Sequence, residues 1–349
     1  MTAALALSSW LCMVAGCGGN AQLTGITARG DAARAVAKEA AEKLPDDAPS
    51  GLKAAFVNSV VVMLAHRDAD ARAEAAEELG ELRRKAAAKP LLMALKDTDG
   101  RVRATAAEAL GKTGEPKAFT PLAYLLQDPI EMDRDPRVRA AAAIALGELP
   151  VYEKWDPLGR ASRDEDAEVR LAVAGALSAR AYHSPALYRL LKEDADHRVR
   201  ATAAAALGRV GAAADSSKLV SATRDPAPAV RYQAVNALRA HRKAPVRPAI
   251  TDCLGDPHPM VRMAAIRALV ARGRGDPTLV IRLSQRLEDR DTAVRAAAAR
   301  AMGELGDLEA LPYLEQAPED PSPSVRQAVA EAIRKLRQRL SRAASRPVW

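Results

Sequence analysis

Five histidines, His66, His183, His197, His241 and His258, are the first residues to test for metal or acid-base chemistry. They stand in different stretches of the 349-residue chain, none one helical turn from another and none beside a glutamate, so no ligand set with metal-site spacing forms. They read as histidines of solvated turns and helix ends. Gly111-Lys112-Thr113 matches the end of a phosphate-binding loop, yet Ala106 replaces the glycine required five positions earlier. No Gly-x-Ser-x-Gly turn offers a serine nucleophile. Cys253, in the helical stretch 249–254, has no fixed histidine near it, and a lone helical cysteine is core packing rather than a nucleophile. The expectation is a chain that is no enzyme, with no catalytic residue, metal, cofactor or small-molecule substrate.

Cys17 carries a different chemistry. Residues 3–15 form an uncharged, mostly apolar run, of signal-peptide length and too short to cross a bilayer as a helix. It ends in Val14-Ala15-Gly16-Cys17, an aliphatic residue and two small ones before a cysteine, which resembles the lipobox of bacterial lipoprotein signal peptides. The resemblance implies cleavage before Cys17, lipidation of that cysteine, and a place in the bacterial cell envelope, periplasmic or outer-membrane. Met1-Thr2-Ala3 departs from the pattern, since it holds no Lys or Arg. With Cys12 removed and Cys17 blocked, Cys253 has no disulfide partner. The expected organisation is a signal peptide over 1–16, a tether over 17–30, a repeat body over 31–338 and a basic tail over 339–349.

Any site must be positioned by the elements, and these repeat. The phrase Val-Arg-x-x-Ala-Ala-x-Ala-Leu-Gly recurs with its arginine at Arg72, Arg103, Arg139, Arg170, Arg200, Arg231, Arg262, Arg295 and Arg326, at spacings of 30 to 36 residues. Positions −1, +3, +6 and +7 from the arginine share one helical arc of roughly 100°, which makes each phrase an amphipathic helix with a narrow stripe of small apolar residues. Turns such as Asp225-Pro226-Ala227-Pro228, Asp256-Pro257-His258-Pro259 and Asp320-Pro321-Ser322-Pro323 precede many phrases and supply caps and helix-opening prolines. A second apolar helix of about ten residues lies upstream of each such turn. Aromatic residues are 3% of the chain, so the core must be built from Ala, Val and Leu, which suits close-packed helices and argues against a β-sandwich or barrel. The predicted fold class is all-α, an α-solenoid of about nine to ten helix pairs sharing one core.

Two helices in about 31 residues, with Asp in the turn and Val-Arg opening the second, resemble the bacterial HEAT-like repeats first known from phycobilin lyases. The likeness covers roughly residues 50–338. It implies that the second helices line a concave side. It also implies that turn aspartates and helix arginines form a structural ladder between neighbouring repeats, here Asp97, Arg103, Asp194, Arg200, Asp225, Arg231, Asp256, Arg262, Asp289, Arg295, Asp320 and Arg326. Arg72, with no Asp six residues before it, and the copy at Arg139, with an acidic insertion near 130–133, stay outside this assignment. The His-Glu dipeptides of the two-iron HEAT-like hydroxylases are lacking.

On such a concave face, positions +1, +2 and +5 from the arginine would form the inner surface, and most are Ala, Thr or Glu. Leu171, Tyr232, Gln233, Asn236, Met263 and Arg267 depart from that and form the candidate surface for a protein partner. The net charge is +8. Six cations, Arg334, Lys335, Arg337, Arg339, Arg342 and Arg346, follow the last acid, Glu331, and leave +2 for residues 1–331. That near-neutral body shows no stripe for successive phosphates, which opposes nucleic acid. Leu336 and Leu340, one turn apart among the terminal cations, suit either an anionic membrane surface or a solvated last helix. The leading expectation is a non-catalytic, membrane-tethered scaffold for a protein. A phycobilin-lyase-like enzyme or chaperone, and a nucleic-acid-binding solenoid, are the alternatives.

Overall fold

The computed structural model describes residues 60–127, 132–150, 156–179, 185–210, 216–241, 246–272, 277–317 and 319–344. Cys17 and the expected signal peptide and tether, 1–16 and 17–30, lie outside these residues. Among the described residues every regular element is an α-helix or a 3-10 turn, and no strand occurs. The fold class is all-α, with repeated helix pairs of the α-solenoid kind. Two compact units hold them, Met1–Trp155 and Asp156–Trp349. The sequence suggests one uninterrupted run over 31–338. The division falls just before a first helix of only five residues, Pro157–Ala161.

In the first unit, α1 (Ala69–Glu81), α3 (Gly100–Thr113) and α5 (Pro136–Glu148) are second helices, with α2 (Ala88–Ala94) and α4 (Phe119–Gln127) as the first helices of their pairs. The second unit continues with α6 (Pro157–Ala161), α7 (Ala167–Ala179), α8 (Pro185–Glu193), α9 (His197–Val210), α10 (Ser216–Ala222) and α11 (Pro228–Ala240). It ends with α12 (Arg247–Asp252), α13 (Pro259–Ala271), α14 (Pro277–Ser284), α15 (Thr292–Leu305), α16 (Leu311–Glu315) and α17 (Pro323–Ala344). Second helices pack on one another in each unit: α1 on α3 and α3 on α5, then α7 through α9, α11, α13 and α15 to α17. The shorter first helices cover one side of this row. No isolated helix of five to nine residues is stable in water, so these depend on packing.

Helix starts follow from local chemistry. Asp68, Asp99, Asp135 and Asp291 accept an N–H of the first turn, and Pro136, Pro228 and Pro259 sit where their missing N–H is not needed. α3 and α15 stop at Gly114 and Gly306, both left-handed with φ of 64° and 71°. Between those ends the arc is buried as its residue types require: Val102, Ala106, Ala109 and Leu110 are at most 2% exposed, and the corresponding Val230, Ala234 and Leu238 are fully covered.

The glycine that closes the repeat phrase has a packing role. An ideal Cβ on Gly80 would lie 2.7 Å from Ala109, on Gly208 2.6 Å from Ala237, and on Gly303 2.8 Å from the Cα of Ala332. In each case the glycine at +8 meets the alanine at +6 of the next phrase, so neighbouring second helices approach until backbone nearly touches backbone. That contact explains why the stripe is Gly and Ala rather than Leu. Gly303→Ala is expected to push α15 from α17 and destabilise the unit by roughly 1–3 kcal/mol. Gly175→Ala, in the interior of α7 with open space around it, is expected to stabilise by roughly 0.5–1 kcal/mol. Opposite shifts of Tm, followed by circular dichroism, are the outcome; shifts of the same sign contradict the close-approach reading.

Candidate functional site

Each of seven recurrent arginines is used twice. Its Nη1 donates backward to the main-chain carbonyls six and five residues before it, as Arg103 does to Asp97 and Thr98 and Arg231 to Asp225 and Pro226. Its Nε and Nη2 donate forward to both oxygens of the aspartate in the next turn. The pairs are Arg72 with Asp97, Arg103 with Asp133, Arg170 with Asp194, Arg200 with Asp225, Arg231 with Asp256, Arg262 with Asp289 and Arg295 with Asp320, all at 2.6–3.0 Å. The same aspartates also accept the N–H two residues on, as Asp97 does from Asp99 and Asp256 from His258. One carboxylate thus shapes its own turn and anchors the preceding helix. The planar fork of Arg suits this bidentate geometry, which Lys could not supply.

This direction alters the assignment made from sequence. Arg72 needs no aspartate six residues before it, because the main-chain carbonyl of His66 serves there and His66 Nδ1 accepts the N–H of Asp68 in the aspartate's place. The insertion near 130–133 supplies Asp133, the partner of Arg103. Arg139 is 2% exposed and donates to the carbonyls of Asp133 and Arg134. Arg326, exposed, donates among the described residues only to the carbonyls of Asp320 and Pro321.

Burial and pairing act against each other on these carboxyls. The Arg72 fork holds Asp97 below its ordinary value, and the Arg295 fork does the same for Asp320. At Asp225, Asp256 and Asp289 burial opposes ionisation, yet hydrogen bonds from Arg200, Arg231 and Arg262, with turn N–H groups, outweigh it and leave the carboxyl lowered.

The residues tested for chemistry are occupied in other ways. Gly111 lies within α3 against Ala145, Lys112 bonds Glu81 at 2.6 Å, and Thr113 donates to the carbonyl of Leu110, so the three form no phosphate loop. Cys253 is 5% exposed, and burial pushes its thiol up to about 11. Nδ1 of His258 caps α13, and His197 is exposed at the start of α9. His241 differs from the solvated reading: it is 5% exposed at the end of α11, where Arg272 donates to its carbonyl. His183 lies outside the described residues. Among the described residues, no three His, Cys, Asp or Glu side chains gather as a metal site.

The candidate partner surface divides. Tyr232, Gln233 and Asn236 on α11 and Met263 on α13 are half-buried, Arg267 on α13 is exposed, and these two helices pack together. Leu171, also half-buried, stands on α7, separated from α11 by α9. Ile144 on α5, at the +5 offset of Asn236 and Arg267, is 42% exposed and escaped the sequence reading, although an aliphatic at +5 was its signal. At the chain's basic end, α17 runs to Ala344 through the expected boundary at 338. Its Leu336 is fully buried, Arg337 pairs with Glu315, and Arg339 donates to the carbonyl of Leu305. Leu336 is therefore core, which leaves Leu340 as the exposed leucine of that pair and favours the solvated last helix.

The HEAT repeats family matches this sequence over residues 57–132, 130–208, 180–239, 216–287 and 280–346. The chain belongs to the HEAT repeat family. Comparison with curated proteins gives no match. Among solved structures, the HEAT repeat chain is similar to an engineered protein, at 19% identity over 97% of this chain and 99% of that one, with a TM-score of 0.45. It is also similar to YibA of Escherichia coli, at 18% identity over 92% and 99%, TM-score 0.47. Human deoxyhypusine hydroxylase matches at 21% identity over 83% and 98%, TM-score 0.32. These likenesses concern the fold alone.

Breaking one rung leaves a buried charge without its partner. Arg262→Ala or Asp289→Asn, at the rung whose side chains are 4% and 5% exposed, is expected to destabilise by roughly 3–5 kcal/mol. Arg326→Ala, with only exposed carbonyl contacts, should cost under about 1 kcal/mol; equal losses in urea titrations would refute the rung assignment. Carboxyls lowered in the folded state contribute stability that is full above their unfolded value and lost as pH falls through the folded one. With ordinary values of 3.8 for these aspartates, Tm is expected to hold from pH 8 to 5 and to drop below about pH 4.

Proposed function

We propose that this HEAT repeat chain is a non-catalytic scaffold, held at a bacterial envelope membrane, that docks a protein partner on its second-helix face. The observation that carries the reading is the set Tyr232, Gln233, Asn236, Met263 and Arg267, accessible on the adjacent helices α11 and α13. Around it the recurrent arginines, turn aspartates and Gly-Ala contacts are committed to holding the repeats together. Tyr, Met and Arg are the side chains that interface cores favour, because each offers large contact area or several hydrogen bonds. The tether rests on Val14-Ala15-Gly16-Cys17. In this reading a lipid on Cys17 makes the membrane contact, and α17 stays packed in the body.

A photo-crosslinking amino acid placed at 232 or at 263 in cells is expected to capture the same protein from both positions, with loss of capture in a Tyr232→Ala, Arg267→Glu double variant. Empty lanes at both positions would remove the docking face. Metabolic labelling with a fatty acid is expected in the wild type and absent in Cys17→Ala, with the variant moving to the soluble fraction. Unchanged membrane retention of that variant would overturn the tether.

A further inference from the structure

On the other side of the second unit, a cleft of about 300 Å³ lies between the first helices α8 and α10. Leu191 and Ala222 form its covered floor, and Lys192, Lys218 and Arg224 stand exposed around it. Lys218 lies over the Tyr188 ring, 4.2 Å from its centre, and among the described residues none of the three cations meets a carboxylate. The wall's own acid, Asp225, is spent on Arg200. Several surface cations elsewhere on this chain are answered, Lys112 by Glu81, Arg198 by Glu168 and Arg337 by Glu315, which these three are not. Three like charges gathered without counter-charge repel one another, and an anionic ligand relieves that repulsion.

Along the sequence the charge is uneven, and Lys218 and Arg224 of the cleft belong to a strongly basic stretch. Residues 201–250 hold eight basic and two acidic side chains, although residues 1–331 together carry only +2. The near-neutral average conceals this. We infer that the α8–α10 cleft binds an acidic segment of a protein, two or more carboxylates meeting Lys192, Lys218 and Arg224 while an apolar side chain covers Leu191 and Ala222. Nucleic acid fits less well: a duplex presents a charge every ~1.7 Å and needs cations in series along its length, and Tyr188, already beneath Lys218, leaves no platform for stacked bases. The inference deepens the scaffold reading by giving a partner's chemistry, on a surface distinct from Tyr232 and Met263.

The probe is a fluorescein-labelled peptide of sequence Glu-Glu-Leu-Glu-Glu-Leu-Glu, titrated with the full chain and read by fluorescence anisotropy. Binding is expected to weaken at least tenfold in the Lys218→Glu, Arg224→Glu double variant and severalfold between low and high salt. Lys192→Ala should give an intermediate loss. Arg282→Glu, an exposed reversal on α14, should leave binding within twofold, and helix content should match wild type throughout. Equal binding by wild type and double variant overturns the site. A labelled single-stranded oligonucleotide that binds as tightly, and loses as much in the same variant, overturns the choice of a protein segment. Peptide failure with crosslinking from 232 and 263 retained removes the cleft alone; failure of both removes the scaffold reading as well.

Discussion

A guanidinium leaves water only when nearly all of its donors find acceptors, and that requirement organises this chain. The paired arginines satisfy it, as Arg103 does, by taking main-chain carbonyls from the turn before their own helix and a whole carboxylate from the turn of the next repeat. The bond therefore spans the repeat boundary, the place where a helix pair of thirty-odd residues has no core of its own. Hydrophobic burial alone would let neighbouring stripes of Ala and Val slide, because small side chains interlock weakly. A bidentate fork tolerates little sliding, so the rung sets the register in which the apolar stripes meet. Buried pairs of this kind add little net stability over an apolar substitute, and their value lies in specificity of arrangement.

The rung and the glycine contact act at opposite ends of the same helices. Near the N-terminus, the fork fixes one helix against the following turn. Near the C-terminus, Gly80, Gly208 or Gly303 lets the next helix come to backbone distance. Beyond that contact a looser row of cations reaches back across the boundary: Lys112 to Glu81, Arg209 to Ser178, Arg272 to the carbonyls of Leu238 and His241, Arg339 to that of Leu305. Cations near helix C-termini meet exposed carbonyls and the negative end of the dipole, which favours them there. Successive helices in a unit are thus held at both ends, with close packing between.

Much of this is legible from sequence because periodicity reports it directly. The buried arc of Val102, Ala106 and Leu110 follows from helical geometry, and the fold class follows from the repeat. What one sequence hides is direction. An Asp and an Arg six residues apart look like partners, yet the backbone carries the arginine to the carbonyls of its own turn and the carboxylate to the helix behind. Arg72 and Asp133 escape assignment from sequence for that reason. Leu336 reads as a surface residue among cations, and only packing against the previous repeat shows it as core. Averaged charge misleads likewise, since neutrality over 331 residues is compatible with a basic stretch of fifty. The division at 155 has no counterpart in the repeat spacing, which is 31 residues from Arg139 to Arg170.

What the framework leaves free matters as much as what it fixes. Positions −6, −1, 0, +3, +6, +7 and +8 around each arginine are constrained by rung, core or close contact, so their residue types speak of assembly and carry no information about a ligand. Only the offsets +1, +2 and +5 and the outer sides of the first helices can vary without cost to stacking. Recognition must be written there, and departures from Ala, Thr and Glu at those places are where to look for it. By that argument Tyr232 and Met263 on one side, and Lys218 and Arg224 on the other, are chosen by exclusion as well as by chemistry. A partner that reached both would have to pass around the edge of the helix pairs, where the turn aspartates are already held by arginines and offer it no charge to compete for.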